Sequence, residues 1–137
     1  MWSVISATLD SNIYISALEF RGAGLRLWSR AQAGTIRIDT TDAILDETVG
    51  VLRDKFRCAG YRLHFARLEL LKLTNRVEPK QTLAVGDDPD DDRILECAVT
   101  AASDYIVTHD DDLLRLREYS GIKIVKVADF LLRGIER

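Results

Sequence analysis

The chain has 137 residues, a length that fits one compact domain with a proper hydrophobic core. Its composition is 47% hydrophobic and 30% charged, with only 2 Pro and 8 Gly, which excludes collagen-like, low-complexity and disordered classes. No run approaches the ~18 apolar residues of a membrane span, and the first residues lack the basic segment of a signal peptide. We therefore expect a soluble, cytoplasmic protein that has no membrane partner.

The formal net charge of −3 conceals an uneven distribution of the acidic residues. Five of the six residues from Asp87 to Asp92 are Asp, and Asp110 to Asp112 are consecutive. The other 14 acids face 19 Lys and Arg, so the rest of the chain is mildly basic. The total charge alone therefore does not exclude a nucleic-acid ligand.

Apolar patterning predicts strands that alternate with helices along the whole chain. In chain order the prediction is a strand at 4–9, helices at 11–18 and 25–33, a strand at 36–38, helices at 42–52 and 63–73, a loop at 79–86, a helix at 89–102, a strand at 105–108, a short helix at 110–116, a strand at 122–125 and a closing helix around 130–132. This alternation is typical of an α/β fold with a mainly parallel central sheet flanked by helices, in α/β/α layers.

Acidic residues follow two of the predicted strands directly. Asp10 ends the first strand, and Asp110 follows the strand at 105–108. In parallel sheets the functional crevice lies at the carboxyl ends of the strands, so we expect both acids at that edge.

Helical periodicity distinguishes Asp91 from its acidic neighbours. At about 100° per residue, Asp91 falls near the middle of the apolar stripe of the helix at 89–102, Asp90 and Asp92 fall on its flanks, and Glu96 falls nearly opposite. A carboxylate aligned with the core side is partly desolvated, which is costly unless a cation or hydrogen-bond donors compensate. Glu47 gets a weaker form of this argument, because it lies at the edge of the buried face of its helix.

A plainer interpretation stays open for each of these acids. The acidic run is also explained by a solvated loop at a helix N-terminus, and Glu47 by an exposed helix edge. Asp10 or Ser11 would serve as one helix cap, and Asp110 or Asp112 as another.

Histidine and cysteine contribute little to a metal site in this sequence. Cys58 and Cys97 lack metal-ligand spacing, and we expect free, buried thiols. His64 lies away from any motif, where a surface or packing role is expected, whereas His109 precedes the acidic triplet and is a candidate for a contact with substrate or metal. Clustered hard carboxylates without His or Cys select Mg²⁺ or Mn²⁺, and the matching reaction is metal-assisted hydrolysis of a phosphodiester.

Four segments, in order and spanning nearly the whole chain, carry a family resemblance. They are VISATLDSNIYISAL, AILDETVGVL, DPDDDRILECAVTAASDYIVTHDDDLL and GIKIVKVADFLL. Together they resemble the PIN-domain family of small metal-dependent ribonucleases and, within it, the VapC-like toxins of type II toxin–antitoxin systems. The resemblance implies a single PIN-like domain over 1–137.

The resemblance also implies a set of site residues. Asp10, Glu47, Asp91 and Asp110 would be the catalytic, metal-binding quartet, with Asp112 as rival or companion to Asp110. Asn12 and Thr108 would orient those carboxylates through hydrogen bonds. Ser11 stands where the family more commonly has Thr and retains the hydroxyl.

The expected substrate is RNA, bound by the basic remainder of the chain. Eight Lys or Arg face three acids from Arg53 to Lys80, and four Arg face none from Arg21 to Arg37. The resemblance implies a cognate antitoxin as partner, a homodimer, and products with a 5′-phosphate and a 3′-hydroxyl.

The leading hypothesis is an Mg²⁺- or Mn²⁺-dependent endoribonuclease, and two alternatives stand beside it. One is a non-catalytic PIN-like module that binds RNA or protein. The other is a metal-dependent phosphatase, against which Asn12 stands where a second Asp would be needed.

Overall fold

The computed structural model of the chain describes residues 4–20 and 22–133, in which strands and helices alternate as expected. In chain order the elements are β1 (Ile5–Leu9), α1 (Ser11–Glu19), α2 (Ala23–Gln32), β2 (Ile36–Thr40), α3 (Asp42–Lys55), α4 (Gly60–Leu73), β3 (Thr74–Arg76), α5 (Pro89–Ala101), β4 (Tyr105–Val107), α6 (Asp111–Leu116), β5 (Glu118–Tyr119), β6 (Ile122–Val125) and α7 (Val127–Arg133).

The strands form a six-stranded sheet in the order β3-β2-β1-β4-β6-β5. All neighbouring pairs are parallel except β5 and β6, which are antiparallel. The prediction of a mainly parallel central sheet is therefore confirmed. The two edge strands β3 and β5 were not predicted, because runs of three and two residues are too short to show an alternating pattern.

The central strand β1 is covered on both of its faces. All five residues of β1 are buried, and successive side chains of a strand point to opposite faces of the sheet. The Thr8 hydroxyl lies 3.4 Å from the Cys97 sulfur of α5, so α5 covers the face that carries Thr8. Tyr105 pairs in register with Ala7 on the opposite face, and its ring lies 5.3 Å from that of Phe130 in α7, so helices flank the sheet on both sides, as predicted.

A buried polar network fixes α5 against the sheet. The Asp39 carboxylate, fully buried on β2, accepts hydrogen bonds from Arg37 Nε at 2.8 Å and from the Ser103 hydroxyl at 2.6 Å. Arg37 Nη2 also donates to the carbonyl of Ala101, the last residue of α5, at 2.9 Å. These bonds hold the C-terminal end of α5, so the position of its N-terminal end relative to the sheet is defined.

Several local expectations are refined by the structure. Thr41 caps α3, since its hydroxyl accepts the Ile44 N–H at 3.4 Å, whereas Ser11 is the first residue of α1 and Asp10 occupies the cap position.

Both cysteines are free; Cys97 is buried, but Cys58 is only half-buried. Within 4–20 and 22–133, no helix has the length and apolar character needed to cross a membrane.

Candidate metal centre

Asp10 lies at the carboxyl end of β1 and is nearly enclosed. Its backbone N–H donates to the Val107 carbonyl of β4 at 3.0 Å, and the residue is only 8% exposed. The Thr108 hydroxyl donates to its Oδ2 at 2.8 Å, and the Ser11 hydroxyl to its Oδ1 at 3.3 Å. Burial raises the pKa of Asp10, although the hydrogen bonds from Thr108 and Ser11 act in the opposite direction.

Thr108 joins Asp10 to the next acidic motif. Its hydroxyl, which donates to Asp10, accepts the Asp110 N–H at 3.0 Å. Asp110 occupies the cap position of α6, where its Oδ1 accepts the Asp112 N–H at 2.8 Å. Asp110 is therefore a helix cap and also a neighbour of Asp10.

The first turn of α5 brings further carboxylates to the same place. One oxygen from each of Asp88, Asp91 and Asp110 lies within 4.8 Å of the other two. Asp88 caps α5 by accepting the Asp90 N–H at 2.9 Å. Burial, a hydrogen bond with Asp110 and the charges of Asp110 and Asp88 raise the pKa of Asp91 to about 7.

Glu47 approaches this group from α3. It is half-buried, and burial raises its pKa to about 7, together with the charges of Asp90 and Asp10 and a hydrogen bond with Asp90. The interacting set, called the acidic centre below, consists of Asp10, Glu47, Asp88, Asp90, Asp91 and Asp110.

The structure brings the four members of the predicted quartet, Asp10, Glu47, Asp91 and Asp110, into one electrostatic group. Asp88 and Asp90 belong to it too, and neither was singled out from the sequence. A signal for Asp88 was present: it precedes Pro89 as the helix cap, three residues before Asp91, and such spacing places two residues on one side of a helix.

Three other predicted residues are placed as follows. The Asp112 side chain is 64% exposed and pairs with Arg115 at 2.9 Å, outside the group of three close carboxylates, so its role as a ligand stays a prediction. Asn12 is exposed in the first turn of α1, and within the described ranges its side chain donates to no carboxylate, so its orienting role also stays a prediction. The Thr108 hydroxyl does contact Asp10.

The donor set of the acidic centre fits a hard divalent cation. It consists of carboxylate oxygens, the ligands that Mg²⁺ and Mn²⁺ prefer. Among residues 4–20 and 22–133, none of the six acids forms an ion pair with Lys or Arg, whereas Asp42, Asp46 and Asp54 elsewhere do. Within those two ranges the negative charge of the centre is therefore not neutralised by an ion pair.

The fold and the acidic centre define an α/β domain with a carboxylate cluster at the carboxyl edge of a parallel sheet. The chain belongs to the PIN domain family, whose model matches residues 6–112 and so includes all the predicted ligands. A chain of the crystal structure of VapBC2 from Rickettsia felis, described as bound to a DNA fragment from their promoter, has a similar fold. The TM-score is 0.61 at 14% identity, over 88% of this chain and 97% of that chain. No curated protein matches the chain in sequence.

Proposed function

We propose that the protein is a metal-dependent endoribonuclease that hydrolyses RNA phosphodiester bonds at the acidic centre with Mg²⁺ or Mn²⁺. The observation that carries the proposal is the approach of three carboxylates within 4.8 Å with no Lys or Arg paired to them in the described ranges. Like charges this close repel unless a proton or a cation compensates. The products expected from the family resemblance carry a 5′-phosphate and a 3′-hydroxyl.

The residues of the centre have different tasks in this proposal. Asp10, Glu47, Asp91 and Asp110 would hold the cation, and Asp88 lies close enough to Asp91 and Asp110 to share in it. A divalent cation there supplies acidification of water near neutral pH and neutralisation of charge on the phosphate. Thr108 keeps an Asp10 oxygen oriented through its hydroxyl, so that carboxylate is arranged before substrate arrives.

We further propose a type II toxin–antitoxin context, with a cognate antitoxin as the protein partner and a homodimeric toxin. The similar structure is described as a VapBC2 complex, which supports this context. Exposed aromatic side chains on one surface also support a protein partner, since clustered apolar surface is commonly covered in complexes. They are Phe20 and Phe56, whose ring centroids are 5.9 Å apart, and Tyr61 and Phe65, which line one cavity with Glu19, the residue before Phe20.

Cleavage of RNA by the Asp91→Asn variant is the direct test. The substitution replaces a carboxylate ligand with a neutral amide of similar size. We therefore expect RNA cleavage with Mg²⁺ or Mn²⁺ to fall about 100-fold or more, while the circular dichroism spectrum stays unchanged. Asp46→Asn is the matched control: Asp46 lies on α3 next to Glu47, but it is exposed and pairs with Arg67 at 2.8 Å. Its activity should be that of the unsubstituted protein.

EDTA should abolish cleavage by the unsubstituted protein in the same assay. Full activity of both Asp91→Asn and Asp10→Asn would refute the site. RNA that is bound but remains uncut with Mn²⁺, regardless of EDTA, would instead identify a non-catalytic PIN-like binding module.

A further inference from the structure

A strongly basic surface lies on α6, β6 and α7. Two adjoining cavities there, of about 460 and 670 Å³, share Leu114, Arg117 and Lys126 in their walls and so form one depression, called the basic groove below. Its lining carries five cationic side chains and two carboxylates. They are Arg115, Arg117, Lys123, Lys126 and Arg133, with Asp111 and Asp129.

One end of the basic groove adjoins the acidic centre. Lys126 directly follows β6, whose last residue, Val125, accepts the Thr108 N–H at 3.1 Å through its carbonyl. Thr108 in turn contacts Asp10 and Asp110. Asp111, the residue after Asp110, lines the groove. The lining of the groove and the acidic centre are therefore joined through the adjacent residues Asp110 and Asp111 and through the Val125–Thr108 hydrogen bond.

The cations of the groove are available for a ligand. Arg117, Lys123, Lys126 and Arg133 are exposed and form no ion pair with the described residues. Arg115 pairs with Asp112, but both side chains are largely exposed, and such solvent-screened pairs contribute little to stability. Arg115 can therefore exchange Asp112 for a ligand phosphate as its partner at little cost in free energy.

The basic stretches expected from the sequence to contact RNA are already partly neutralised. In the Arg53–Lys80 stretch, Arg53 pairs with Asp54, and Arg67 and Arg76 both pair with Asp42. In the Arg21–Arg37 stretch, Arg37 pairs with the buried Asp39, and Arg21 lies outside the described residues. The groove at 115–133 was not singled out from the sequence, because its cations are spread over α6, β6, α7 and the residues that connect these elements.

Arg117 has a backbone conformation that arginine rarely adopts. Its φ of 61° lies in the left-handed region, which residues with a Cβ rarely adopt because of steric strain. Its N–H donates to the Leu114 carbonyl at 3.1 Å, and its carbonyl accepts the Ile124 N–H at 2.9 Å. These bonds fix the backbone of Arg117 beside the junction of the two cavities, and the residue lines both of them.

We propose that the basic groove binds the phosphates of single-stranded RNA next to the bond cut at the acidic centre. The proposal rests on the proposed ribonuclease function and assigns the path of its substrate. Aromatic side chains are absent from the described lining, so base stacking and the aromatic anchors typical of protein interfaces are both missing. Binding is then dominated by phosphate contacts and depends little on base sequence.

The test compares two charge-matched double variants in RNA binding. Lys123→Gln with Lys126→Gln removes two groove cations, and Lys55→Gln with Lys72→Gln removes two exposed cations of the Arg53–Lys80 stretch, the rival surface for RNA. Fluorescent single-stranded RNA is titrated in EDTA, where no cleavage occurs. Each lost phosphate contact lowers the slope of log K against log salt by about 0.7, so the groove variant should bind about 20-fold more weakly at 0.1 M salt. If the groove is the RNA path, the variant of the Arg53–Lys80 stretch should bind like the unsubstituted protein.

The outcomes separate this proposal from the proposed function. Equal loss of binding in both double variants, or in neither, overturns the groove. Polyglutamate, titrated in the same way, is the second probe. If the groove variant loses polyglutamate binding but keeps its RNA binding, the proposal is overturned and the ligand is an acidic protein segment. If RNA binds in the groove but is never cut with Mn²⁺, the ribonuclease proposal fails and the groove stands. If RNA is cut, the groove variant should show a raised KM and an unchanged kcat. An unchanged KM would refute the groove as the path of the RNA and would leave the ribonuclease proposal intact.

Discussion

The carboxyl groups of Glu47 and Asp91 have pKa values of about 7 in the metal-free fold, against ordinary values near 4 in an unfolded chain. Burial is the largest cause for both, followed by neighbouring carboxylates. An acid whose pKa is raised by folding binds protons more tightly in the folded state. The free energy of unfolding of the metal-free protein is therefore highest below about pH 4 as far as these groups are concerned, and falls as pH rises toward 7.

This linkage predicts a stabilising substitution within the acidic centre. In EDTA at pH 7.5, Asp91→Asn should raise the Tm by about 2–5 °C, because the buried charge and its repulsion with Asp110 are removed. At pH 4 the difference from the unsubstituted protein should largely disappear. Calorimetry at both pH values measures this, with Asp46→Asn as the exposed control. A Tm of Asp91→Asn that lies below that of the unsubstituted protein at pH 7.5 would contradict the assigned desolvation.

Periodicity predicted the partial burial of Asp91 but misjudged Asp92 and Glu96: Asp92, projected onto a flank of the apolar stripe, is only 4% exposed, less than Asp91. The helical projection placed Glu96 opposite the apolar stripe, yet its side chain is only 4% exposed. The reason is tertiary: the Leu83 N–H of the preceding loop donates to Glu96 at 2.7 Å, and Arg93 pairs with it at 2.6 Å. A single-helix pattern contains no information about a loop that folds over the outer face.

At the scale of elements, the loop before α5 is held by two buried carboxylates of that helix. Asp92 Oδ1 accepts the N–H groups of Val85 and Gly86, at 2.9 and 3.2 Å, and Glu96 accepts that of Leu83. The loop is not paired with a strand, and these carboxylates accept the backbone N–H groups that a neighbouring strand would otherwise accept. They also fix the approach of the chain to Asp88, the cap of α5.

The loop contacts can be tested with two substitutions at one position. Asp92→Ala leaves two backbone N–H groups without an acceptor, so we expect a loss of about 2 kcal/mol in the free energy of unfolding by urea denaturation. Asp92→Asn retains an amide oxygen at the same place and should recover most of that loss. Equal destabilisation by both would mean that the charge of Asp92, rather than its acceptor geometry, stabilises the loop.

The elements that place the acidic centre were largely predictable, because their patterns are local. The apolar run of β1 ending in Asp10 and the Pro89 helix start both depend on neighbours within a few residues. The edge strand β3 and the inclusion of Asp90 depend on contacts between distant segments. Asp90 acts on Glu47 of α3, a relation that no pattern within α5 contains.

At the scale of the whole molecule, cation binding should couple to folding. A cation bound only by the folded protein adds about 1.4 kcal/mol at ten times its Kd. We expect 10 mM Mg²⁺ or Mn²⁺ to raise the Tm by several degrees at pH 7.5, whereas KCl of equal ionic strength should not. Asp10→Asn should abolish the rise. A Tm that is unmoved by either metal would remove most of the support for a metal centre.

The strand order has a consequence for synthesis of the chain. Asp10 and its partner Thr108 are 98 residues apart, because β4 lies next to β1 in the sheet but follows it late in the chain. At 5–20 residues per second, translation takes roughly 5–20 s to pass from one to the other. During this interval β1 can pair with β2, but Asp10 has neither Thr108 nor Asp110 beside it. The acidic centre therefore does not exist on the nascent chain until α6 has been made, so a ribosome translating this region carries no assembled centre.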